Sequence, residues 1–326
     1  LCRGGEVPAT NKDNRMNIGE YEMFTTYSNG KLLLAGEYLV LKGAWALAVP
    51  LRFGQKLQVS SHAGYPGIHW ESTSNGQTWV YVHFYTPSLE IQETNNLELA
   101  NQIRNILVET KRLQPTFLNT AKSLKVEASL NFPHEWGIGS GSSFIVNIAR
   151  WSGCDPFALN NRIFSGSGYD IATAASDKPI IYRLDNSNPI WKEVTFNPPF
   201  IDQLWLVYQN KKQNTLKSIR KFEKIPIHND SIEAISSISI QMSEEKSLQG
   251  FMSLMDIHER HMAEILQTDT IQHTMFPDFR GSIKSLGAWG GDFLMAVSEI
   301  GDDYVPRYFE EKGFNTYFRM NDMILT

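Results

Sequence analysis

The sequence predicts an α+β fold divided into two domains that share a cleft. The chain has 326 residues, 42% of them hydrophobic, which is more than one compact core usually needs. Alternating apolar runs typical of strands occur beside an amphipathic segment with helical spacing. A glycine- and serine-rich loop opens directly into a further helical pattern, as phosphate-binding loops do.

Composition excludes several classes of function. A formal net charge of -5 without a long Lys or Arg cluster argues against a nucleic-acid surface, because phosphate backbones require concentrated positive charge. Cys2 and Cys154 are too few for a disulfide framework and are not spaced as metal ligands. No apolar run approaches a membrane span, and the first segment does not resemble a signal peptide. We therefore expect a soluble, cytoplasmic protein that binds neither nucleic acid nor membrane.

The beginning of the chain carries no periodicity before Met16. We expect residues 1–15 to be a cloning remnant or to follow from a misplaced start, and to lie outside the fold.

The first half is predicted to be rich in strands. Apolar runs between Gly30 and Val59 are punctuated by Gly36, Gly43 and Pro50, a pattern typical of strands joined by tight turns. Residues 79–85 and 124–130 alternate as further strands, whereas residues 96–111 have the spacing of an amphipathic helix.

The second half is predicted to begin near residues 180–200. It contains a strand pair around IIYRL and LWLVYQN, a long helical region over residues 231–267, and a glycine-rich strand-turn region over residues 281–297. We expect one domain over residues 16–190 and a second domain over residues 191–326.

The glycine- and serine-rich loop is the first candidate site. Its backbone N–H groups are unblocked by large side chains, and the following helix adds the positive end of its dipole. Serine hydroxyls in the loop could hold magnesium or phosphate oxygens. A flexible turn capped by serine explains the pattern equally well on its own. The loop residues are Gly137, Ile138, Gly139, Ser140, Gly141, Ser142 and Ser143.

A second turn over residues 165–170 places Asp170 before a run of small residues. An acid at such a turn is often only a helix cap. Alternatively, Asp170 accepts the proton of a substrate hydroxyl that attacks a γ-phosphoryl group, while Lys31 keeps the carboxylate ionised and orients the hydroxyl.

A third glycine-rich turn, KSLGAWGGDF, spans residues 284–293. Glycines at this density indicate either a tight hairpin or a close approach of the backbone to a ligand. Three such turns in one chain favour a ligand site.

These motifs resemble those of the GHMP kinases, the superfamily of galactokinase, homoserine kinase, mevalonate kinase and phosphomevalonate kinase. SNGKLLLAGEYLVLKGAWALAVP resembles the first motif, WGIGSGSS the second and KSLGAWGGDF the third. GYDIA, at residues 168–172, matches the name-giving motif of the GYDIA-family GHMP kinases. The resemblance spans about residues 24–326. It implies an N-terminal domain like ribosomal protein S5 domain 2 and a ferredoxin-like C-terminal domain.

The resemblance also implies roles for individual residues. The second motif would bind the phosphates of ATP, Lys31 corresponds to the lysine of the first motif, and Asp170 corresponds to the catalytic base of mevalonate kinase. Substrate contacts are implied for two positions of the first motif, for a segment after a strand, and for the third motif. These residues are Glu37, Tyr38, Lys211, Lys212, Thr215, Gly290 and Gly291. A solvated charged turn is the alternative for the two lysines.

The expected magnesium site departs from that of mevalonate kinase. Gly141 stands where mevalonate kinase has a serine ligand, so Ser140 or Ser142 must substitute for it. No carboxylate occurs between Pro156 and Tyr169, where mevalonate kinase has a metal-binding glutamate. Magnesium would then rest mainly on ATP and water.

The sequence thus predicts an enzyme that uses ATP and Mg²⁺ to phosphorylate a hydroxyl or phosphate of an isoprenoid precursor such as mevalonate or phosphomevalonate. A sugar or amino-acid-alcohol kinase, a decarboxylase of the mevalonate diphosphate type, and a catalytically silent binding protein stay open, as does a homodimer.

Two histidines, His258 and His261, lie on a predicted helix, but they do not form the HExxH pattern of a zinc site. We interpret them as part of a polar helix face.

Overall fold

The computed structural model describes the backbone of residues 2–3, 14–18, 21–62, 64, 66–119, 123–164, 166–211, 215–289 and 291–326. Side chains are described within these ranges from residue 23 onward, except at residues 215–217. The predicted site residues Lys212 and Gly290 lie outside the described residues.

The larger of two sheets has ten strands in the described part of the chain, in the order β1-β10-β9-β4-β8-β5-β6-β7, with β3 paired to both β2 and β4. Neighbouring strands pair antiparallel except β5 and β8, which are parallel. The strands are β1 (Cys2–Arg3), β2 (Asn14–Ile18), β3 (Tyr21–Ala35), β4 (Ala46–Ser61), β5 (Gly67–Ser74), β6 (Gln77–Phe84), β7 (Ile91–Thr94), β8 (Ser123–Leu130), β9 (Ile180–Asp185) and β10 (Asn188–Glu193).

The smaller sheet has four antiparallel strands in the order β12-β13-β11-β14. They are β11 (Trp205–Tyr208), β12 (Ser282–Ser285), β13 (Phe293–Val297) and β14 (Tyr317–Arg319). With helices between the first and second strands and between the third and fourth, this is the ferredoxin-like arrangement that the resemblance implies.

Helices pack on both sheets. They are α1 (Leu97–Leu113), α2 (Ser140–Ser152), α3 (Pro156–Ile163), α4 (Tyr169–Ala175), α5 (Thr215–Phe222), α6 (Asn229–Glu244), α7 (Leu248–Leu266), α8 (Ile271–Met275), α9 (Tyr304–Glu311) and α10 (Met320–Met323). Side-chain caps define several of the starts; for example, Asn96 accepts the N–H of Leu99, and Ser247 accepts that of Gly250, each at 3.1 Å. No helix within the described ranges is long and apolar enough to cross a membrane.

One hydrophobic core lies between the larger sheet and α1 to α4. A second core contains Leu32 and Leu47 of the larger sheet together with Leu206 and Phe293 of the smaller sheet. The two sheets therefore share buried apolar surface, which fixes the elements of each sheet relative to the other.

The α+β prediction is confirmed. The strands predicted over residues 79–85 and 124–130 form as β6 and β8, and the helix predicted over residues 96–111 forms as α1. The change of sheet falls between Glu193 and Trp205, and the domain boundary at residues 190/191 stays a prediction.

Three expectations were wrong. The apolar run EYLVL, residues 37–41 of the predicted strands between Gly30 and Val59, forms a turn and a 3-10 helix, Leu39–Lys42, because positive φ angles at Gly36 and Tyr38 end β3. IIYRL does not pair with LWLVYQN, because a hairpin turn at Asn186 and Ser187 returns the chain as β10. Within residues 1–15 the described residues are not outside the fold, because Cys2–Arg3 pairs with β10 and Asn14 and Arg15 pair with β3.

Candidate active site

The glycine- and serine-rich loop joins a 3-10 turn, His134–Trp136, to α2. The backbone N–H of Lys31 donates to the carbonyl of Ile138 at 2.8 Å, which fixes the loop against β3. Gly137 and Gly139 have φ angles of 69° and 106°, in the left-handed region that favours glycine. The loop can make this turn only because both positions lack a side chain.

The start of α2 leaves backbone donors available. The first intrahelical bond runs from the N–H of Ser143 to the carbonyl of Gly139 at 3.0 Å. The N–H groups of Ser140, Gly141 and Ser142 therefore precede the helical hydrogen bonds and stand at the positive end of the helix dipole. Such an end can accept an anion.

Two of the serine hydroxyls are already engaged. Ser142 and Ser143 are buried, and each donates from Oγ to the carbonyl of Gly139, at 3.1 and 2.8 Å. Ser140 is half-buried, and Gly141 is exposed with no heavy atom within 4 Å of an added Cβ. Ser140 is thus the more accessible of the two predicted magnesium ligands.

Lys31, which lies beside this loop, interacts electrostatically with Asp170. Nζ of Lys31 donates to the carbonyl of Gly137 at 3.4 Å and lies 5.6 Å from the ring centroid of Tyr169, the residue before Asp170. Asp170 occupies the first turn of α4, where its Oδ1 accepts the N–H of Ile171 at 3.1 Å. The structure brings the two predicted catalytic residues into one electrostatically coupled group.

The pKa values follow from this arrangement. Burial raises the pKa of Asp170 above 3.8, although Lys31 acts in the opposite direction. Burial alone would lower the pKa of Lys31, but Tyr169, Asp170 and Asp292 raise it above 10.5. Lys31 therefore keeps its positive charge, and the basicity of Asp170 exceeds that of an ordinary aspartate.

Glu37 lies inside the protein, 1% exposed. Its Oε1 accepts from Nζ of Lys284 at 2.5 Å, and its Oε2 lies 3.0 Å from Nε2 of His258. Burial would raise the pKa of Glu37, but Lys284 and His258 lower it to about 2. A substrate contact at Glu37 stays a prediction, and it would compete with these bonds.

His258 is fully buried rather than part of a polar helix face, so that interpretation was wrong. Burial and Lys284 lower its pKa, and its Nε2 accepts the N–H of Gly36 at 3.2 Å. His258 therefore joins α7 to the end of β3.

Tyr38 also links the two halves of the chain. Its ring stacks on Phe222 at 5.2 Å, and its hydroxyl accepts the N–H of Trp289, in the third glycine-rich turn, at 3.1 Å. Tyr38 is 8% exposed, so little of its surface is open to a ligand.

The other predicted substrate residues lie around the end of β11. Lys211 is exposed, and its carbonyl accepts the N–H of Asp292 at 2.9 Å. Gly291 is buried, and its carbonyl accepts from Nε2 of Gln209 at 2.8 Å. Thr215 begins α5, and its side chain is outside the described set. Substrate contacts at these residues stay predictions.

Sequence reasoning did not single out Asp292. A Cβ added to Gly137 would lie 2.4 Å from the carboxyl carbon of Asp292, so the carboxylate rests directly against the glycine loop. The sequence did contain an indication of this residue, because Asp292 is the only acid in the third glycine-rich turn, KSLGAWGGDF.

The described side chains include no group of three or more His, Cys, Asp or Glu residues that could hold a metal ion. A magnesium ion that is held largely by phosphate oxygens needs only one or two protein carboxylates, and the donors beside this loop fit that requirement.

Comparison with solved structures decides the fold. L. major mevalonate kinase in complex with R-mevalonate matches with a TM-score of 0.64 at 18% identity, covering 94% of this chain and 95% of the other. Streptococcus pneumoniae phosphomevalonate kinase in complex with phosphomevalonate and AMPPNP matches with a TM-score of 0.67 at 14% identity, covering 90% and 99%. The chain has the GHMP kinase fold.

The GHMP kinase fold extends to sugar kinases as well. Lactococcus lactis galactokinase complexed with galactose matches with a TM-score of 0.61 at 12% identity, covering 92% of both chains. No family model and no curated protein sequence matches the chain. The likeness is therefore one of three-dimensional structure.

Proposed function

We propose that this chain is an ATP-dependent kinase that phosphorylates a small molecule. The proposal rests on the position of Lys31. Its backbone N–H donates a hydrogen bond to the glycine loop, and its ammonium group interacts electrostatically with Asp170. The fold shared with mevalonate, phosphomevalonate and galactose kinases supports the same class of reaction.

In the proposed reaction the loop from Gly137 to Ser143 binds the triphosphate of ATP through backbone N–H groups and the start of α2. Asp170 accepts the proton of the attacking hydroxyl, and Lys31 offsets negative charge on the transferred phosphoryl group. Phosphoryl transfer depends chiefly on positioning and electrostatics, which these residues supply.

Magnesium, when bound, would neutralise charge on the β and γ phosphates. Ser140 and Ser142 are the hydroxyls that we propose near it, with Ser140 the more accessible. The residues that we propose to surround the substrate are Glu37, Tyr38, Lys211, Lys212, Thr215, Gly290 and Gly291.

The substrate that we propose is an isoprenoid precursor such as mevalonate or phosphomevalonate. The first motif and the segment KKQNT at residues 211–215 support this choice over a sugar. Ammonium groups in that segment suit a carboxylate or phosphate on the substrate.

The test is a coupled ADP-release assay with magnesium-ATP against mevalonate, phosphomevalonate, galactose and homoserine. Turnover with one of the first two, abolished by Asp170→Asn, is the expected result. Turnover with galactose or homoserine alone would contradict the substrate class, and carbon dioxide release would indicate a decarboxylase. ATP binding without turnover on any compound would favour a silent fold.

A further inference from the structure

The tyrosine of the GYDIA motif, Tyr169, lies beside Lys31. Nζ of Lys31 is 5.6 Å from the centroid of the Tyr169 ring, and the two side chains form a hydrogen bond. An ammonium group can only donate, so the phenol oxygen is the acceptor in this bond. Tyr169 thus binds the lysine of the candidate active site, although the proposed reaction gives Tyr169 no role.

Asp170, the next residue, interacts with Lys31 in a different way. Burial alone would lower the pKa of Lys31, but Tyr169 and Asp170 are among the groups that raise it. Asp170 does so through its charge, whereas Tyr169 also forms the hydrogen bond. The ammonium group is therefore bonded to the phenol and coupled to the carboxylate only through space.

The ammonium group of Lys31 is held from two sides. Nζ donates to the carbonyl of Gly137 in the glycine loop at 3.4 Å, and it donates to Tyr169 at the start of α4. Its positive charge consequently lies between the loop that we propose for the triphosphate and the helix that carries the proposed base.

Hydrogen bonds also hold the backbone from which the phenol projects. The hydroxyl of Tyr182, a buried residue of β9, donates to the carbonyl of Ser167. The N–H of Tyr169 donates to Oγ of Ser167 at 3.4 Å, and Oγ1 of Thr173 donates to the carbonyl of Tyr169 at 2.6 Å. These bonds fix the turn before α4 and with it the position of the phenol.

Separation of Lys31 from Asp170 suits the proposed chemistry. A direct ion pair would place the ammonium group on the carboxylate and lower the pKa of Asp170 further. A general base needs an oxygen within reach of the substrate hydroxyl and enough basicity to take its proton. A phenol that binds the ammonium group preserves both properties and still keeps the positive charge nearby.

We propose that Tyr169 is a positioning residue, whose phenol oxygen holds the ammonium group of Lys31 toward the glycine loop and prevents a direct ion pair with Asp170. The inference rests on the proposed function. Tyr169 itself stays a neutral phenol at neutral pH, because burial raises its pKa above 10 and Lys31 opposes this only in part.

The experiment compares the wild type with Tyr169→Phe and Tyr182→Phe. Tyr169→Phe keeps the ring and removes the acceptor of the Lys31 bond. Tyr182→Phe removes the hydroxyl that supports the same turn, and it is the matched control. The pKa of Asp170 is measured by carbon-13 NMR titration of its carboxyl group, identified by the signal that Asp170→Asn lacks. The acidic limb of kcat/KM is measured with the acceptor that the ADP-release assay identifies.

In Tyr169→Phe we expect the pKa of Asp170 and the acidic limb to move down by about one unit, because Lys31 then pairs directly with the carboxylate. The value of kcat should fall about tenfold, the effect of one lost hydrogen bond to a charged group. ATP affinity should be retained, because the glycine loop is unchanged. Tyr182→Phe should keep the wild-type pKa of Asp170, although its melting temperature should fall, because the Ser167 carbonyl loses its donor.

An unchanged or raised pKa of Asp170 in Tyr169→Phe would overturn the inference and leave the kinase proposal standing. An equal shift in both variants would also overturn it, because displacement of the turn would then be the cause. A wild type without turnover on any acceptor would contradict the proposed function itself, and the NMR titration would still show whether Tyr169 keeps Lys31 from Asp170.

Discussion

The buried ion pair between Glu37 and Lys284 gives a prediction that is independent of any substrate. The Lys284 side chain is fully buried, Glu37 is 1% exposed, and 2.5 Å separates their charged atoms. Lys284→Met would leave the Glu37 carboxylate in the interior without its main counter-charge. Removal of one partner of a buried pair typically costs about 3–5 kcal/mol.

The pKa of Glu37 reports the net effect of its surroundings, in which Lys284 and His258 together lower the pKa against the effect of burial. Its decrease from 4.5 to about 2 corresponds to about 3 kcal/mol of stabilisation of the ionised form. Because the pKa is lower in the folded state, this stabilisation is present above about pH 4.5 and is lost as the pH falls toward 2. Both values predict a large effect at neutral pH.

The assay is urea denaturation at pH 7 of the wild type, Lys284→Met, Glu37→Gln and the double variant. Each single variant should lose about 3–5 kcal/mol of unfolding free energy, and the double variant should lose much less than the sum. A loss below about 1 kcal/mol in Lys284→Met, or strict additivity, would refute the reasoning.

Three further predictions concern neighbouring residues. Burial raises the pKa of Glu259 to about 8, so the stability contributed by its protonated form is lost as the pH rises through that value. In denaturation experiments at pH 5 and pH 9, Glu259→Gln should therefore be more stable than the wild type at pH 9. Because the pKa of Asp170 is raised and a base must be ionised, kcat/KM should fall toward acid pH with an apparent pKa above 3.8, and a profile without an acidic limb would contradict this role. Gly137→Ala should lower the free energy of unfolding by about 1–2 kcal/mol from its left-handed φ alone, and it should weaken ATP binding. Gly141→Ala is the control, because the space around Gly141 is open. Equal melting temperatures and ATP affinities for the two variants would contradict the loop geometry.

Local patterns in the sequence predicted several elements of the fold and one turn of the site. Residues 96–111 and 124–130 have the periods of a helix and a strand, and both elements form because each period matches a buried face. Gly137 and Gly139 indicated a tight turn, and their positive φ angles confirm it. Information of this kind lies within a few consecutive residues.

Contacts between distant residues were not predictable in this way. His258 is buried because Glu37, 221 positions earlier in the chain, lies against it, and nothing in the periodicity of α7 marks that contact. Asp292 faces Gly137 only because the two sheets share a core and bring the third turn to the loop. Such placements depend on tertiary packing, which a single sequence does not display.

The same limit explains the wrong strand assignments. EYLVL has the apolar content of a strand, but the turn at Gly36 and Tyr38 directs it into a 3-10 helix whose Leu39 and Val40 are buried. For short apolar runs, burial alone does not distinguish a strand from a helical turn.

The most direct test of the central claim is a single-turnover measurement of phosphoryl transfer, with saturating magnesium-ATP and the acceptor identified by the ADP-release assay. Wild type and Asp170→Asn are compared, with ATP affinity measured on the same samples. We expect transfer by the wild type and a loss of about 100-fold or more in the variant, with ATP affinity retained. Transfer at a similar rate in both proteins would contradict Asp170 as the catalytic base.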